Sequence, residues 1–594
     1  MPDPDAILDH FLSAPAATLP SYAADGRLYF LNDAAGSAQV WEMMPDATAR
    51  PRTAHRDAVS WVSGSPVDGG AVFGRDAAGD ERIQLYHLPP DGDLRALTAA
   101  PTVMHGWGAW SPNGMAVAVT ANARDPAHAD PCIVPLDGGP MRRLRDVQGP
   151  HELAAWHPDG GSILLASAPR AFESVLHRVD AVTGDAAPAT PGGEDRRHNN
   201  PRWRKDGAGF WLLTDRGREY LGVAWMEPGG TPRFLHTPDA DVEKLEVSPD
   251  GRTLAVVVNL GGWSQLRFLD AATGGMVATA AHPPGVIQRI TWHPDGTGVA
   301  FDLLQPTRPG TIWEAATDGT ARLLFAASGA PAGARPWEED SFEAHDGTEI
   351  PTFLMRPEGD APEGGWPVLI WVHGGPEMQA LPNWRPDLQS IVALGIAVMV
   401  PNVRGSTGYG RGYAALDDRE LRMDAVRDVA SAHAWLSGRP DVDSGRIAVM
   451  GQSYGGWMTL MAVTHHPGLW AAGVEYYGIA RWKTFFERTG PWRVGHRAAE
   501  YGDPVRDADL LETLSPLHKV DAIRCPMFVA QGLTDPRVPP HESEQIVAAL
   551  RARDVPVDYL TFPDEGHGFL KRDNRRTAYR GVLAFLARHL LRTE

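Results

Sequence analysis

The chain carries the sequence Gly451-Gln452-Ser453-Tyr454-Gly455-Gly456 between an apolar run at 446–450 and a second apolar run at 457–463. The first run predicts a strand and the second predicts a helix. Strand, G-x-S-x-G and helix in this order is the setting of a nucleophile elbow. The glycines allow a turn so sharp that a Cβ at either position would clash. Since isolated G-x-S-x-G strings are common, a glycine-rich turn with an incidental serine is the alternative.

Strands and helices are predicted to alternate around this turn. The predicted strands are 368–372, 397–400, 446–450, 473–477, 527–531 and 557–562, and the predicted helices are 386–395, 420–438 and 577–591. A hairpin is predicted at 341–354, directly after a proline-rich stretch at 331–336. This alternation indicates a doubly wound, mostly parallel sheet, the architecture of an α/β-hydrolase domain, over residues 336–594.

The first half of the chain repeats a turn signal of the Asp-Gly or Asn-Gly type. Its glycines are Gly26, Gly69, Gly114, Gly160, Gly207, Gly251 and Gly296, with spacings of 43, 45, 46, 47, 44 and 45 residues. Such turns between short apolar runs are typical of β-hairpins, and a period in the forties is typical of a β-propeller. We predict seven blades over residues 21–335, preceded by a helical segment at 1–20. An array of β-sandwiches is the alternative, and the regular spacing disfavours it.

Composition narrows the class of protein. A chain of 594 residues is too long for a single hydrophobic core, so two or more domains are expected. A formal charge of −19 disfavours nucleic acid or an anionic membrane as a partner. Two cysteines far apart in sequence predict no disulfide framework and no cysteine metal site. The acidic N-terminus does not resemble a signal peptide, and the longest apolar runs are too short to span a bilayer. We expect a cytoplasmic protein without cofactor or metal; the sequence leaves open whether it forms homo-oligomers.

Three residues in the chain order of an α/β-hydrolase triad are predicted to act together. Ser453 is the candidate nucleophile. Asp535 follows the predicted strand at 527–531, and His567 lies between glycines after the predicted strand at 557–562. A serine hydroxyl needs a base to remove its proton, and the base needs an acid to fix its tautomer. Asp564 and Glu565 are rival acids, but they lie too close to His567 in sequence to match the triad order.

The sequence His373-Gly374-Gly375-Pro376 follows the predicted strand at 368–372. A loop of this type supplies one backbone N–H to an oxyanion hole, and the residue after the nucleophile supplies the other. We therefore predict the N–H groups of Gly375 and Tyr454 as the two donors. His373 is predicted to orient the loop rather than to act as the base.

The combination of a seven-bladed propeller and this hydrolase domain resembles the prolyl oligopeptidase family of serine peptidases. The sequences at 373–377, 401–410, 451–456 and 535–539 are similar to its acylaminoacyl-peptidase branch. The resemblance is sharp after about residue 340 and extends to the propeller only as a repeat pattern. It implies peptidase chemistry on short peptides, with the propeller as a size filter.

Residues after the strand at 473–477 are predicted to line the substrate pocket, because this region usually does so in the family. The candidates are Arg481, Trp482, Phe485, Phe486, Arg488, Trp492, Arg493 and Arg497. The aromatic residues favour an apolar side-chain pocket, and an arginine can hold a carboxylate in bidentate fashion. The alternative is a solvated helix whose arginines pair with Glu487, Glu500 or Asp503.

Three functions remain open from the sequence. An acylaminoacyl-peptidase-like enzyme is favoured. A carboxypeptidase-type exopeptidase would use one arginine to hold the C-terminal carboxylate, and a small-molecule esterase would use the same triad without needing the propeller. The paired glutamates with which dipeptidyl peptidases of the family hold a free amine are not found on a propeller helix, since Glu338-Glu339 lies in the linker. A non-catalytic propeller adaptor is disfavoured by the intact triad.

Overall fold

The computed structural model describes residues 3–44, 46–170, 172–192 and 196–592. Residues 1–2 and 593–594, at the outer limits of the predicted segments 1–20 and 336–594, lie outside the described residues. The chain forms a seven-bladed β-propeller followed by an α/β-hydrolase domain. The first propeller strand begins at Ala17, so the propeller starts slightly before the predicted boundary at residue 21.

Each propeller blade is a four-stranded antiparallel sheet whose strands follow in sequence order. Blade by blade, the strands are Ala17–Tyr22, Leu28–Asn32, Gln39–Met43 and Ala49–Pro51; Val59–Gly64, Ala71–Arg75, Gln84–Leu88 and Arg95–Ala96; His105–Trp110, Ala116–Ala121, Asp130–Pro135 and Arg142–Arg143; His151–Trp156, Ser162–Arg170, Glu173–Asp180 and Ala186–Pro188; His198–Trp203, Phe210–Thr214, Gly222–Met226 and Arg233–His236; Val242–Val247, Thr253–Leu260, Trp263–Asp270 and Met276–Thr279; Ile290–Trp292, Gly298–Gln305, Arg308–Ala316 and Ala321–Ala326.

The repeated turn signal has one structural role in all seven blades. Each of its glycines lies in the turn between the first and second strands of a blade. Six of the seven have φ between +68° and +89°, Gly69 being the exception. Because side chains with a Cβ rarely adopt this conformation, glycine recurs there, and the period seen in the sequence is the period of the blades.

The ring closes between the first and last blades without a shared strand. The backbone N–H of Leu19 donates to Asp302 Oδ2 at 2.9 Å, and the backbone N–H of Tyr22 donates to Thr291 Oγ1 at 3.3 Å. Buried side chains of both blades form one apolar cluster that includes Phe30 and Ile312. Hydrogen bonds and apolar packing therefore seal the ring.

The hydrolase domain is built on one eight-stranded sheet, whose strands are numbered β1 to β8 here. They are β1 Glu338–Glu343, β2 Glu349–Met355, β3 Trp366–Val372, β4 Ala397–Pro401, β5 Val442–Gln452, β6 Ala472–Tyr476, β7 Met527–Gly532 and β8 Val557–Phe562. Their spatial order is 1-2-4-3-5-6-7-8. The pairs β1–β2 and β2–β4 are antiparallel, and the pairs from β4 to β8 are parallel. This is the mostly parallel sheet that the sequence predicts.

Helices cover both faces of this sheet. In the described residues they are α1 Pro4–Leu12, α2 Pro386–Ala393, α3 Arg411–Ala414, α4 Arg422–Ser437, α5 Tyr454–His465, α6 Trp482–Arg488, α7 Pro491–Tyr501, α8 Ala508–Thr513, α9 Pro540–Arg551 and α10 Arg572–Leu590, with short 3₁₀ turns at Ala415–Asp417, Arg419–Leu421 and Pro516–Ala522. Helix α1 packs on the hydrolase domain: Leu8 and Leu12 are buried in its core. No helix of the described residues is long and apolar enough to cross a membrane.

The centre of the domain is the unit formed by β3, β5 and α5. All seven residues of β3 are buried. Helix α5 is buried from Tyr454 to Thr464, so no polar face points to solvent. A helix that is apolar all round must sit inside the protein. The turn between β5 and α5, which carries Ser453, is therefore held on a rigid base.

Candidate active site

Ser453 sits at the tip of the turn between β5 and α5, with φ 60° and ψ −120°. This conformation is costly for a residue with a Cβ, and close packing enforces it. A Cβ on Gly451 would lie 2.1 Å from the carbonyl oxygen of Gly455, and a Cβ on Gly455 would lie 2.2 Å from the carbonyl oxygen of Val372. Both glycines are therefore required by backbone contacts, and the turn projects the serine side chain above the sheet.

A continuous hydrogen-bonded chain links the serine, the histidine and the aspartate. His567 Nε2 lies 2.9 Å from Ser453 Oγ, and His567 Nδ1 lies 2.7 Å from Asp535 Oδ2. The other carboxylate oxygen, Oδ1, accepts the backbone N–H groups of Arg537 at 2.8 Å and Val538 at 3.0 Å. The Asp535 side chain is fully buried. Because each group is held by the next, the imidazole is aimed at the serine hydroxyl.

The two rival acids near His567 in sequence have other contacts. Asp564 accepts hydrogen bonds from Lys571 Nζ and from Arg56 of the propeller, both at 2.9 Å. Glu565 is buried and accepts the backbone N–H groups of Leu570 and Lys571. Both carboxylates therefore anchor the loop that carries the histidine, and Asp535 is the acid that contacts it.

The loop after β3 lies against the serine turn. A Cβ on Gly374 would be 3.6 Å from the Cβ of Ser453, so the loop that carries the predicted donor Gly375 contacts the serine turn. Tyr454 is the first residue of α5, and its backbone N–H has no carbonyl acceptor within the helix. Both predicted oxyanion donors are thus next to Ser453, where the dipole of α5 also favours negative charge.

His373 is buried behind this loop. Its Nδ1 lies 2.7 Å from the carbonyl oxygen of Gly374, and its Nε2 lies 2.8 Å from Ser406 Oγ. Burial lowers the pKa of His373, so the imidazole is neutral at pH 7. With both ring nitrogens engaged, this histidine fixes the loop, as the sequence analysis predicts.

A cavity of about 470 Å³ opens in front of Ser453 and His567 and is lined by both domains. A larger cavity of about 1060 Å³, between the β1–β2 hairpin and α4, is lined by none of the triad residues. The lining of the smaller cavity includes five apolar residues, Trp337, Trp371, Met378, Leu381 and Leu388, and four arginines, Arg385, Arg493, Arg497 and Arg537. It can therefore take an apolar side chain next to an anionic group.

The arginines predicted for the pocket separate into two pairs. Arg493 and Arg497 lie four residues apart on one face of α7, and both line the cavity. Arg481 is ion-paired with Glu512 at 2.8 Å, and Arg488 is exposed at the end of α6. The prediction that arginines reach the site therefore narrows to Arg493 and Arg497.

The aromatic residues predicted for the pocket lie elsewhere. Trp482, Phe485 and Phe486 are buried in the hydrolase core, and the indole N–H of Trp482 donates to the carbonyl of Leu514 at 3.1 Å. Trp492 is half-buried and does not line the cavity. The Trp482 ring lies against Tyr501 of α7, with ring centres 4.2 Å apart, and the structure does not bring the predicted aromatic residues into the lining of the cavity. The cavity takes its aromatic wall from Trp337 and Trp371 instead.

Arg493 is the arginine of the cavity that has no counter-charge. Among the described residues, no carboxylate lies within ion-pair distance of its guanidinium, and its buried Nε has no hydrogen-bond partner. Burial, together with Arg497 and Arg537, lowers the pKa of Arg493 to about 10. By contrast, Arg537 is ion-paired with Glu81 of the propeller. A cation that is desolvated and crowded by like charges is prepared to accept an anion.

Several lining residues were not predicted from the sequence. Arg537 follows the triad aspartate by two positions, and that spacing could have indicated it. The Arg385 guanidinium lies 4.2 Å from the ring centre of Trp371, a cation–π contact. Gln288 comes from the propeller. Nothing in the sequence around Gln288 connects it with a site more than 150 residues away.

Comparisons with known proteins agree with this geometry. The model of the prolyl oligopeptidase family matches residues 382–593. The dipeptidyl aminopeptidase BIII of Pseudoxanthomonas mexicana is 27% identical, over 93% of this chain and 84% of that protein. The acylamino-acid-releasing enzyme of Rattus norvegicus is 23% identical, over 52% of this chain and 40% of that enzyme.

Solved structures share the whole two-domain fold. A puromycin hydrolase superposes with a TM-score of 0.87 at 22% identity, over 99% of this chain and 96% of that chain. A puromycin-hydrolyzing peptidase of Mycobacterium tuberculosis superposes with a TM-score of 0.86 at 23% identity, with the same coverage of both chains. At these identities the structures establish the fold alone. Together with the family match and the relatives, they lead to one conclusion: the chain is a serine-type peptidase whose hydrolase domain, over residues 382–593, matches the prolyl oligopeptidase family.

Proposed function

We propose that this peptidase hydrolyses short peptides through an acyl-enzyme formed on Ser453, with His567 as the base and Asp535 as the orienting acid. The observation that carries this proposal is the chain of contacts at 2.9 Å and 2.7 Å from serine to histidine to aspartate. Such distances suit proton transfer without rearrangement. We assign the oxyanion to the N–H groups of Gly375 and Tyr454.

The reaction follows from this geometry. His567 Nε2 takes the proton of Ser453 as Oγ attacks the substrate carbonyl carbon, and the carbonyl oxygen becomes an anion facing the two N–H donors. The imidazolium, stabilised by Asp535, then gives its proton to the amine nitrogen as the C–N bond breaks, which releases the amine and leaves the acyl group on Ser453 Oγ. Water activated by the same histidine hydrolyses the ester. Each preorganised donor contributes roughly 3 to 4 kcal/mol to the stability of the transition state.

The propeller is proposed to limit substrate size. It covers the catalytic face closely enough to supply Gln288 to the cavity and Glu81 to the ion pair with Arg537. A folded protein cannot enter a site enclosed in this way, whereas a short extended peptide can. Short peptides are therefore the proposed substrates.

A fluorophosphonate probe and a size series test these assignments. The probe is expected to label Ser453, and Ser453→Ala should lower turnover by at least about a thousandfold. Labelling at another serine would overturn the assignment of the nucleophile. Hydrolysis of casein as fast as that of short peptides would overturn the role of the propeller.

The candidate functions differ in which end of the peptide the enzyme recognises. Relatives named dipeptidyl aminopeptidase and acylamino-acid-releasing enzyme point to recognition of the N-terminal part of the substrate. The acylaminoacyl-peptidase-like reading is the first proposal. A carboxypeptidase-type exopeptidase is the second, and the unpaired Arg493 in the cavity supports it.

Four versions of one peptide distinguish these functions: free, N-acetylated, C-amidated and doubly blocked. For an acylaminoacyl peptidase, acetylation should raise kcat/KM and amidation should have little effect. For a carboxypeptidase, amidation should lower kcat/KM about ten- to a hundredfold, the value of a charge-assisted hydrogen bond of roughly 1.5 to 3 kcal/mol. Arg493→Ala should produce the same loss on the free peptide and almost none on the amide. The matched control is Arg488→Ala, an exposed arginine on the neighbouring helix.

An ester panel assayed beside the peptides tests the small-molecule esterase alternative. Rapid cleavage of simple esters without any cleavage of peptides would favour that alternative. The cytoplasmic location stays a prediction of the sequence analysis.

A further inference from the structure

We propose that a buried ionic cluster positions both donors of the oxyanion hole from behind the catalytic site. The cluster consists of Asp417, Arg422, Glu500, Glu377 and Arg497, and it acts together with Tyr501 of α7. This inference rests on the proposed roles of Ser453, Gly375 and Tyr454. It adds a positioning role for the charged side chains of this cluster, of which Arg497 also lines the cavity.

The first end of the cluster holds Tyr454. The phenol of Tyr454 donates to Asp417 Oδ2 at 3.1 Å, and the guanidinium of Arg422 pairs with the same oxygen at 2.9 Å. The Tyr454 ring stacks on Tyr501, with ring centres 6.1 Å apart and planes 14° apart. Since Tyr454 is the first residue of α5, fixing its side chain fixes the direction of its backbone N–H.

The other end holds Gly375. The phenol of Tyr501 donates to the carbonyl oxygen of Gly375 at 2.9 Å, and Arg497 donates to the same oxygen at 3.3 Å. Gly375 has φ +131°, a conformation open to glycine, and without a Cβ it has more freedom than any other residue. Two donors on its carbonyl restrict that freedom by fixing the peptide plane between Gly375 and Pro376, which is next to the plane that carries the Gly375 N–H.

The middle of the cluster links these ends through Tyr501 and the two glutamates. Arg422 donates to Glu500 Oε1 at 2.5 Å, and Arg497 lies 3.5 Å from Oε2 of Glu377, whose carboxyl interacts electrostatically with Glu500. The guanidinium groups of Arg422 and Arg497 lie 4.8 and 5.7 Å from the ring centre of Tyr501. The side chain of Arg422 is 0% exposed and that of Asp417 is 1% exposed. A rearrangement at one end would leave a buried charge unpaired, so the whole cluster resists displacement.

A role in positioning the oxyanion donors explains the cluster better than a role in stabilising the fold does. Buried ion pairs often contribute no more to stability than apolar residues of the same volume. Here the chain of contacts ends on Gly375 and Tyr454, the two residues proposed to supply the oxyanion N–H groups. Oxyanion donors act only if they are already in place when the charge develops. The buried cluster can hold the two N–H donors in place, whereas a glycine loop without such contacts would remain free to move.

The variant Tyr501→Phe removes the hydroxyl that donates to Gly375 and keeps the ring stack. With a peptide amide whose acylation is rate-limiting, we expect kcat to fall about two- to tenfold while KM stays unchanged, the range for one neutral hydrogen bond. A peptide aldehyde, whose carbonyl carbon bonds to Ser453 Oγ and whose oxygen becomes the alkoxide in the hole, should lose affinity by the same factor.

The matched control is Tyr29→Phe in the propeller, because the Tyr29 hydroxyl also donates to a glycine carbonyl, that of Gly69, in a buried site. Both variants should lose similar thermal stability, and only Tyr501→Phe should lose kcat and aldehyde affinity. Equal kcat values for the two variants, or a fall in kcat with unchanged aldehyde affinity, would overturn the proposal.

A second variant approaches the cluster from its other end. Asp417→Asn keeps an acceptor for the phenol of Tyr454 and removes the charge that pairs with Arg422. It should lower kcat and aldehyde affinity in parallel, as Tyr501→Phe does, and an Asp417→Asn enzyme with wild-type values for both would also overturn the proposal. If the wild-type enzyme itself is not labelled at Ser453, the proposed function fails instead, and the two failures are thus distinguishable.

Discussion

The two glutamates of the buried cluster, Glu377 and Glu500, predict that the enzyme loses activity at alkaline pH. The substitution Glu377→Gln should prevent this loss. Burial, and then the adjacent Glu500, raise the pKa of Glu377 to about 8, against the opposing effect of Arg497 and Arg422. Arg422 holds the pKa of Glu500 below its usual range. At neutral pH the proton of the pair therefore sits on Glu377, beside an ionised Glu500. Above pH 8 both buried carboxyls are ionised, and we expect Arg497, which lies 3.5 Å from Glu377 Oε2, to move from the Gly375 carbonyl towards Glu377.

The sign and size of the effect follow from this titration. A carboxyl whose pKa is higher in the folded state costs stability as pH rises from its unfolded value of 4.5 to its folded value of about 8. For Glu377 alone the cost is at most about 5 kcal/mol, at 1.36 kcal/mol per pH unit. Glu377→Gln mimics the protonated acid at every pH. Its stability relative to the wild type should therefore increase between pH 4.5 and 8 and level off above that.

The assay measures kcat from pH 6 to 9.5, each profile normalised at pH 6.5, together with thermal unfolding at the same values. The substrate is N-acetylated, because a free α-amine also titrates near pH 8. The wild-type kcat should decline with an apparent pKa near 8, and the Glu377→Gln profile should stay flat through that range. The same decline of kcat at alkaline pH in both enzymes would refute the reasoning. A difference in thermal stability between them that does not change with pH would also refute it.

Two further predictions concern the acid that contacts His567 and the turn that carries Ser453. Asp535→Asn should lower kcat about ten-thousandfold, because asparagine stabilises the wrong tautomer of His567. Glu565→Gln should lower the thermal midpoint and leave most of kcat. Comparable losses of kcat for the two variants in steady-state peptide assays would reopen the choice of acid. Gly455→Ala should abolish fluorophosphonate labelling because its Cβ would lie 2.2 Å from a backbone oxygen, and the control Gly468→Ala, with open space around its Cβ, should label normally. A Gly455→Ala enzyme that labels at the wild-type rate would contradict the steric argument.

The elements that the sequence predicts well depend on local chemistry. The turn at Ser453 is encoded within a few residues, because backbone contacts at Gly451 and Gly455 admit no Cβ. The blade turns are predictable for a similar reason, since each needs a residue with positive φ. Asp535 and His567 follow from chain order in this fold, because each lies in the loop after a strand at the same edge of the sheet.

The pocket could not be predicted in the same way, because its lining depends on which face each helix presents. Arg493 and Arg497 face the cavity, and their spacing of four residues could have indicated a shared face of one helix. Trp482 and Phe485 belong to the preceding short helix, whose apolar face is buried in the core. Sequence density of aromatic and cationic residues does not reveal where one helix ends and another begins. The contribution of Gln288 depends on the docking of two domains, which local sequence does not encode.

The propeller also takes part in holding the catalytic groups. A loop of its second blade lies against both loops that carry the acid and the base. Thr534, next to Asp535, donates through Oγ1 to the carbonyl of Ala78 at 2.5 Å, and a Cβ on Gly566, next to His567, would lie 1.9 Å from the carbonyl oxygen of Gly79.

The nucleophile and the oxyanion loop, in contrast, are held by the hydrolase domain itself. The backbone N–H of Ser453 donates to the carbonyl of Tyr476 at 2.9 Å, and the carbonyl of Gly375 is held by Tyr501. The two domains therefore hold different parts of the site. The hydrolase core holds the nucleophile and the oxyanion loop, and the propeller contacts the loops that carry the acid and the base. The geometry between His567 and Ser453 thus depends on how closely the two domains dock, so we expect the propeller to act on the alignment of the triad in addition to its proposed role in limiting access.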